Sequence, residues 1–408
     1  MKQDFIVQHP ETVEDIEQYI ELLRKVFGPE SNVDTIVRRL IDHHHGMTLE
    51  DHFIVKHSGT IVSALSLIPE KWSIGGVPLK VAEMGPVGTL PEYRRRGLIR
   101  RLVNEFHRRV EDQGYDLVAI EGIPYFYRQF GYEYAVPLDE VVRIRLDQMP
   151  DYDTRREIRP FTGRDIPQAM KFLAQSQEKF YVHSIRDEWI WKMQHETGRT
   201  SDKFEGYAVE EDGQMMAYLR IDEQPKVKEL VLREVTDADQ YSAQAILRFL
   251  KDVGNKRGLE NLVALISYHD PFAKLLVSLG AVERIPPYAW QIRIIDYVKI
   301  FQKMKPLLEK RLAASTYLRL TEKLNFNLNC YTVQITVEKG AITNIQRLET
   351  NEDGNIRLNP LVFTQLLLGY RSRSELEMIY PDFRIRQSHR NLVDILFPKF
   401  PSYIHAVN

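Results

Sequence analysis

Apolar residues follow a helical period near the start of the chain and a two-residue period soon after it. The stretch 13–26 predicts an amphipathic helix, because its apolar positions recur every three or four residues and a Gly-Pro pair follows. A second helix is predicted over 32–42. The segment 53–70 contains two β-rich runs around a Ser-Gly turn, which predicts a β-hairpin.

The same alternation of patterns continues to about residue 150. We predict further strand over 72–90, a helix over 95–113 that ends at a glycine, a short buried strand over 117–122, and a short helix over 125–130. More strand follows up to Leu146. The order of helices and strands indicates an α+β or α/β unit whose sheet is mixed and mostly antiparallel.

The middle of the chain repeats this order. The segment 204–223 matches the hairpin at 53–70, and 258–282 resembles 114–136 in pattern. We interpret this as a duplication of one unit. The character changes after about residue 293, where helices and a hairpin predict a smaller α+β domain. The predicted domains are residues 1–150, 151–293 and 294–408.

Composition narrows the class of protein. The chain has 408 residues, of which 43% are hydrophobic and 27% charged, so it can bury several cores. Its formal charge of −2 argues against bulk binding to nucleic acid or to an anionic membrane. No apolar run approaches the roughly 20 residues of a membrane helix. The single cysteine, Cys330, and the acidic start of the chain favour a cytoplasmic protein.

The most informative stretch for chemistry is 87–97, VGTLPEYRRRG. A strand runs into a turn, and three arginines and a glycine then open a helix. A helix N-terminus offers unpaired N–H groups and the positive end of a dipole, and Gly97 allows a pyrophosphate close to the backbone. The alternative is a surface helix with solvated arginines.

These residues resemble the acetyl-CoA signature R-x-x-G-x-G/A of the GNAT N-acetyltransferases. Arg94, Gly97 and Ile99 stand at its three marked positions, with Ile99 in place of the usual small residue. The run FYRQFGY at 126–132 is similar to that of the enhanced-intracellular-survival (Eis) type. Members of that type contain two GNAT-like units and a sterol-carrier-protein-like domain, an arrangement that matches the predicted order over the whole chain.

The resemblance implies acetyl-CoA as co-substrate and assigns its contacts. The backbone of Val87, Gly88 and Thr89 would pair with the pantetheine arm, and Gly122 and Ile123 would line its other side. The pyrophosphate would be cradled mainly by main-chain N–H groups of Arg95, Arg96, Gly97, Leu98, Ile99 and Arg100.

The resemblance also implies a general acid, Tyr127. A phenol with an ordinary pKa of about 10 is protonated at neutral pH and can protonate the departing thiolate of coenzyme A. Tyr125 is the main rival for this role. Packing in an aromatic cluster is the other interpretation of Tyr127.

The general base implied by the resemblance is the main-chain carboxylate of the last residue, here Asn408. Familiar members end in an aromatic residue, which leaves the anchoring of Asn408 open. Glu83 is the alternative base, acting through a water. A free tail is the third possibility.

The second unit lacks the signature. Asp237 and Asp239 stand where the phosphates would lie, and acids there repel phosphate. We therefore expect it to bind no coenzyme A. The histidines near residue 45, together with His52, suggest a solvated loop rather than a metal site, and no metal is expected. Cys330 lies in strand-like sequence and is predicted to be in the core.

The resemblance implies direct N-acetyl transfer from acetyl-CoA to a primary amine, on an aminoglycoside-like polyamine or a lysine-type side chain. An acyl-CoA-binding regulatory protein with little or no turnover is the alternative, and lipid carriage by the C-terminal domain is a third. Related proteins form hexamers, so a homo-oligomer, in particular a hexamer, is expected.

Overall fold

The architecture was analysed in a computed structural model that describes residues 5–28, 32–43, 46–138, 140–197, 204–284, 288–349 and 354–407. The described residues form two compact units. Unit 1 draws on Met1–Val136, Phe180–His183 and Ala289–Ser402. Unit 2 draws on Pro137–Lys179, Ser184–Tyr288 and Tyr403–Asn408.

The first part of the chain alternates helices and strands in the predicted order. Its elements are β1 (Val7–Gln8), α1 (Val13–Phe27), α2 (Val33–His43), β2 (His52–His57), β3 (Thr60–Ile74), β4 (Val77–Met84), β5 (Gly88–Thr89), α3 (Leu98–Asp112), β6 (Leu117–Ile120) and β7 (Glu133–Pro137). The hairpin β2–β3 confirms the prediction, because Ser58 and Gly59 both adopt the positive φ that a two-residue turn requires.

The middle part repeats the order. Its elements are β8 (Val141–Arg145), β9 (Glu157–Pro160), α4 (Ile166–Gln177), β10 (Val182–Ser184), α5 (Glu188–Thr197), β11 (Glu205–Glu211), β12 (Gln214–Gln224), β13 (Glu229–Val235), α6 (Gln240–Lys256), β14 (Asn261–Ala264), α7 (Pro271–Ser278), β15 (Val282–Arg284) and β16 (Ala289–Ile294). Gly114 after α3 and Gly258 after α6 both have positive φ, so the repeat extends to the helix ends.

The last part is α+β. Its elements are α8 (Tyr297–Ala313), β17 (Glu322–Asn327), β18 (Thr332–Glu338), β19 (Ala341–Leu348), β20 (Ile356–Arg357), α9 (Pro360–Leu367), α10 (Arg373–Ile379), β21 (Arg384–Ile385) and α11 (Arg390–Leu396). The five strands form one sheet in the order β19-β18-β17-β20-β21. Four buried rings form its centre, with neighbouring centroids 4.9–6.3 Å apart: Phe301, Phe326, Phe363 and Phe397.

The large sheet of unit 1 has the order β1-β2-β3-β4-β6-β16-β7, and β5 and β10 pair with β3. β4 and β6 pair in parallel, whereas β2 with β3, β3 with β4, and β16 with β6 pair antiparallel. Helix α3 covers one face with the buried side chains of Leu98, Leu102, Val103 and Phe106, which recur at helical spacing. This packing fixes the start of α3 relative to the ends of the central strands.

The sheet of unit 2 has the order β15-β8-β14-β13-β12-β11-β9. Its parallel pair β13–β14 corresponds to β4–β6, and the antiparallel neighbour of β14 is β8. The sheet of unit 2 therefore contains β8 from the range 1–150, and the large sheet of unit 1 contains β10 and β16 from the range 151–293. The compact units differ from the three predicted ranges for this reason, because strand pairing is not limited to neighbours in sequence.

Two local expectations were wrong. Cys330 is exposed in the turn between β17 and β18. It lies outside the paired residues of both strands. His52 is buried at the start of β2, and its Nδ1 lies 2.8 Å from the Ser66 hydroxyl oxygen, so it does not belong to a solvated loop. His44 and His45 lie outside the described residues. Within the described part of the chain, the helices are too short or too polar to cross a membrane.

Candidate active site

The two strands that precede and follow α3 separate at one end of the unit 1 sheet. Pairing between β4 and β6 ends at Glu83 and Ala119. Further along the chain, β5 pairs with β3 through Gly88 and Thr89, and no other described strand pairs with β5. A gap therefore opens between β5 and the end of β6, next to the start of α3.

The turn into α3 presents backbone N–H groups without a protein cap. Gly97 is the N-cap residue in the left-handed region, with φ +77°, and no side chain caps the helix. The first intrahelical bond runs from the Arg101 N–H to the Gly97 carbonyl at 3.2 Å. Among the described residues, none accepts a hydrogen bond from the N–H groups of Leu98, Ile99 or Arg100. An anion bound here would gain these donors and the helix dipole.

The arginines around this turn are exposed and differ in how they are held. Arg94 donates from Nε to the Thr89 carbonyl at 3.3 Å, and Arg96 donates to the Glu92 carbonyl at 3.0 Å. Arg100 donates to Gln129 Oε1 at 2.6 Å. Arg95 has φ +62°, and within the described chain no hydrogen-bond partner is found for its side chain. Its charge is therefore available to a ligand at the turn.

Substitution of Gly97 tests this turn. An added Cβ would meet no atom within 4 Å, so Gly97→Ala acts through its positive φ, which costs an L-residue about 1–2 kcal/mol. We expect the acetyl-CoA Kd to rise up to about tenfold as the turn relaxes. The matched control is Gly114→Ala, which also has positive φ and open space, at the other end of α3. It should lower the Tm similarly without changing the Kd measured by calorimetry; equal Kd changes would contradict the assignment.

Tyr127 packs directly against the chain that leaves β6. A Cβ added at Gly122 would lie 2.3 Å from its ring, so only glycine allows this contact. Tyr127 is 5% exposed, in a short 3-10 helix at Phe126–Phe130. Tyr125 is 72% exposed, and its main-chain N–H donates to the Tyr134 hydroxyl at 2.9 Å. The two rival tyrosines therefore differ sharply in environment, and Ile123 is exposed at the rim of the gap.

The ring of Tyr127 is fixed by aromatic neighbours. Phe126 and Tyr132 lie at centroid distances of 5.0 and 6.0 Å, both edge-to-face. Burial raises the pKa of the Tyr132 phenol well above its ordinary value, and its oxygen lies 2.8 Å from His107 Nε2. Burial, with the nearby Arg293 charge, lowers the pKa of His107 to about 3. Tyr132 and His107 are therefore both neutral at pH 7, and neither places a charge beside Tyr127.

Two carboxyl groups, those of Glu70 and Glu83, lie near the point where β4 and β6 separate. Glu70 is buried, and Trp72 Nε1 donates to it at 2.5 Å. Burial raises the pKa of the Glu70 carboxyl, which also shares a hydrogen bond with Glu83. Glu83 is the last residue of β4 that pairs with β6, so it lies where the gap begins. Burial is the main cause of the raised pKa of Glu70, and the hydrogen bonds from Trp72 and Glu83 partly oppose it.

Gln291 is a site residue that the sequence analysis missed. It lies on β16 opposite Ile120 and is fully buried. Its Nε2 donates to the Gly122 carbonyl at 2.8 Å and to the Ile123 carbonyl at 3.4 Å. The available signal was a single amide within an otherwise apolar run at 289–292, but the strand pairing that brings it to β6 is long-range.

The corresponding helix start in unit 2 is already capped. Asp239 is the N-cap of α6, accepts from the Ser242 N–H at 2.9 Å, and forms an ion pair with Arg156. Asp237 is paired with Lys179. The two acids therefore lie where a bound anion would lie, as the sequence predicted.

The chain segment before Asn408 is held within unit 2. Gln194 Nε2 donates to the carbonyls of Ala406 at 3.0 Å and Val407 at 2.9 Å, and its Oε1 accepts from Arg220 at 2.7 Å. Ser184 donates to the His405 carbonyl at 2.5 Å, and Val407 is buried. Asn408 itself lies outside the described residues. The tail is therefore anchored up to its penultimate position.

Replacing Gln194 tests this anchor. Gln194→Leu keeps the side chain's approximate size but removes both donors to the tail and leaves the Arg220 guanidinium short of an acceptor. We expect amide exchange at residues 403–407 to accelerate by at least about tenfold, the equivalent of about 1.4 kcal/mol. Exchange in β14, measured in the same experiment, should stay within twofold. Unchanged exchange of the tail would show that Gln194 is not its anchor.

The first third of the chain matches a known protein family. Residues 9–135 match the model of the acetyltransferase (GNAT) domain. The chain contains a GNAT acetyltransferase domain. The match covers the strands, the turn and α3 that form the gap, and it ends within β7.

Curated proteins that match part of the chain include mycobacterial acetyltransferases. A stretch of 71 residues is 41% identical to the N-acetyltransferase Eis of Mycobacterium bovis and of Mycobacterium tuberculosis. It covers 16% of this chain and 17% of those proteins. The aligned stretch therefore spans less than a fifth of the curated relatives' length.

Solved structures match nearly the whole chain in fold. A GCN5-related N-acetyltransferase from Anabaena variabilis has a TM-score of 0.72 and 17% identity, covering 98% of this chain and 99% of that one. Eis1 from Mycobacterium abscessus has a TM-score of 0.64 and 15% identity, covering 98% and 99%. The α+β architecture of GNAT-like sheets thus extends beyond the GNAT domain matched in sequence.

Proposed function

We propose that the chain is an acetyl-CoA-dependent N-acetyltransferase that transfers the acetyl group directly to a primary amine. The observation that carries this proposal is the gap between β5 and β6, with the uncapped start of α3 at one end and Tyr127 packed on Gly122 beside it. An anion site and a phenol flank one opening, as a transfer from coenzyme A requires.

In the proposed complex, the pyrophosphate of acetyl-CoA lies at the turn Arg95–Arg100, held mainly by main-chain N–H groups. Val87 to Thr89 and Gly122 to Ile123 line the two sides of the pantetheine arm. Ile99 supports this arrangement despite its size, because its side chain packs with the apolar core under α3. The uncapped N–H groups are therefore compatible with a large residue at the third signature position.

The amine attacks the thioester carbonyl, the C–S bond breaks, and Tyr127 donates its proton to the departing thiolate. The burial of Tyr127 against Gly122 favours it over the exposed Tyr125 for this role. The attacking nitrogen loses its proton to a base. We propose the carboxylate of Asn408, the base that the resemblance implies, with Glu83 as the alternative.

The acceptor class is an aminoglycoside-like polyamine or a lysine-type amine. Mass spectrometry of a polyamine, a monoamine and a lysine peptide after incubation with acetyl-CoA tests this. Acetylation at nitrogen is the expected result, and unmodified amines throughout would contradict it. The regulatory acyl-CoA-binding alternative predicts that second outcome together with bound acetyl-CoA.

The remaining assignments rest partly on the resemblance and, for unit 2, on the acids at its helix start. The C-terminal sheet with its helices is proposed to be sterol-carrier-like, and unit 2 is proposed to bind no coenzyme A. Calorimetry should therefore give one acetyl-CoA per chain, whereas two would contradict the proposal for unit 2. The cytoplasmic location, the hexamer and the absence of a metal cofactor stay predictions.

A further inference from the structure

We infer that Gln291 is a positioning residue that holds the Gly122–Ile123 backbone in place and thereby sets the position of Tyr127. This inference rests on the proposed function, and it names a residue far from the GNAT signature in sequence. Its role is carried by the backbone of Gly122.

The first step is the hydrogen bonding of the amide. Gln291 Nε2 donates to both Gly122 and Ile123 carbonyls, at 2.8 and 3.4 Å. The β-ladder between β6 and β16 ends at Ile120, two residues before Gly122. The side chain of Gln291 thus continues to hold the chain after the ladder has ended. Without these bonds, the segment would lose two restraints at the point where the gap begins.

The second step is the cost of this arrangement. Gln291 is fully buried, and its Oε1 has no hydrogen-bond partner within the described part of the chain. A buried polar atom without a partner is unfavourable, so an amide at this position is a poor choice for packing alone. Its two hydrogen bonds to the Gly122–Ile123 segment explain why a polar residue stands at this position.

The third step is the contact with Tyr127. A Cβ at Gly122 would lie 2.3 Å from the Tyr127 ring and 3.3 Å from Gln291 Nε2. The ring and the amide therefore both pack against the same glycine. Because there is no side chain at Gly122 to absorb a shift, displacement of its backbone moves the surface on which the phenol rests. Interiors packed this closely transmit small displacements.

The test uses Gln291→Met, which has similar volume and cannot donate to the carbonyls. We expect kcat to fall about tenfold, with KM for acetyl-CoA changed less than twofold, because the phosphate turn is untouched. The matched control is Ile292→Ala, fully buried on the same strand with its side chain on the other face of the sheet. It should lower the Tm and leave kcat within twofold.

Two readouts separate positioning from general destabilisation. In a Tyr127→Phe background, Gln291→Met should cause no further loss of kcat. With 3-fluorotyrosine at position 127, the ¹⁹F resonance should shift in Gln291→Met and not in Ile292→Ala. An equal loss of kcat in both backgrounds, or an unshifted resonance, would overturn the inference and leave the transferase proposal standing. If Tyr127→Phe itself is fully active, the proposed acid is wrong, and this inference falls with it.

Discussion

Tyr127→Phe is expected to lower kcat for acetyl transfer by about 10²–10³-fold, within the usual range for loss of a general acid. The phenol is the group proposed to protonate the departing thiolate, and phenylalanine keeps the ring that packs on Gly122. The acetyl-CoA Kd and the Tm should therefore change little. Steady-state kinetics with saturating amine, together with calorimetric binding, measure both quantities.

The matched control is Tyr125→Phe. Tyr125 lies two residues away, is largely exposed, and carries the same functional group. Its loss should leave kcat within about twofold. If Tyr125→Phe shows the large defect and Tyr127→Phe does not, the two assignments are exchanged. A tenfold rise in the acetyl-CoA Kd of Tyr127→Phe would indicate a binding role instead of acid catalysis.

Displacement of the Asn408 carboxylate is expected to lower kcat by about 10²-fold at pH 7, because a general base usually contributes 10²–10⁴-fold. Adding one glycine after Asn408 moves the carboxylate by about 3.5 Å and keeps the hydrogen bonds that hold Ala406 and Val407. The acetyl-CoA Kd should not change. The defect should shrink as pH rises, since a growing fraction of the amine is then already neutral.

Glu83→Gln is the paired variant. With Asn408 as base, it should leave kcat within about threefold, since Gln keeps hydrogen bonding to Glu70. With Glu83 as base, Glu83→Gln carries the large defect and the added glycine is harmless. Burial raises the pKa of Glu70, so the folded protein holds this proton more strongly than the unfolded chain. That contribution to stability is present at acidic pH and is lost as pH rises through the folded pKa.

Much of the local structure could be predicted because the signals are local. The turn at Ser58-Gly59 was predicted, and its hairpin forms. The matching segment 204–223 also forms a hairpin, which turns at Asp212-Gly213 with positive φ at both residues. The start of α3 at the Arg-Arg-Arg-Gly run was also predictable, because Gly97 is suited to the left-handed N-cap. These features depend on neighbouring residues alone.

The long-range pairings could not be predicted from one sequence. β16 pairs with β6, which lies about 170 residues earlier in the chain. Nothing in the apolar sequence of β16 indicates this partner. Gln291 was missed for the same reason. The contact of Glu70 with Glu83 depends on the register of β3 and β4, where a shift by one residue would turn one carboxyl to the other face.

Release of free coenzyme A, measured with and without an amine, tests the central claim most directly. The account predicts that purified protein with acetyl-CoA releases the thiol rapidly only when a polyamine or lysine-type amine is present. One acetylated amine should appear for each thiol released. Saturable binding of acetyl-CoA with no amine-dependent release across polyamines, monoamines and lysine peptides would contradict the transferase account and favour the acyl-CoA-binding alternative.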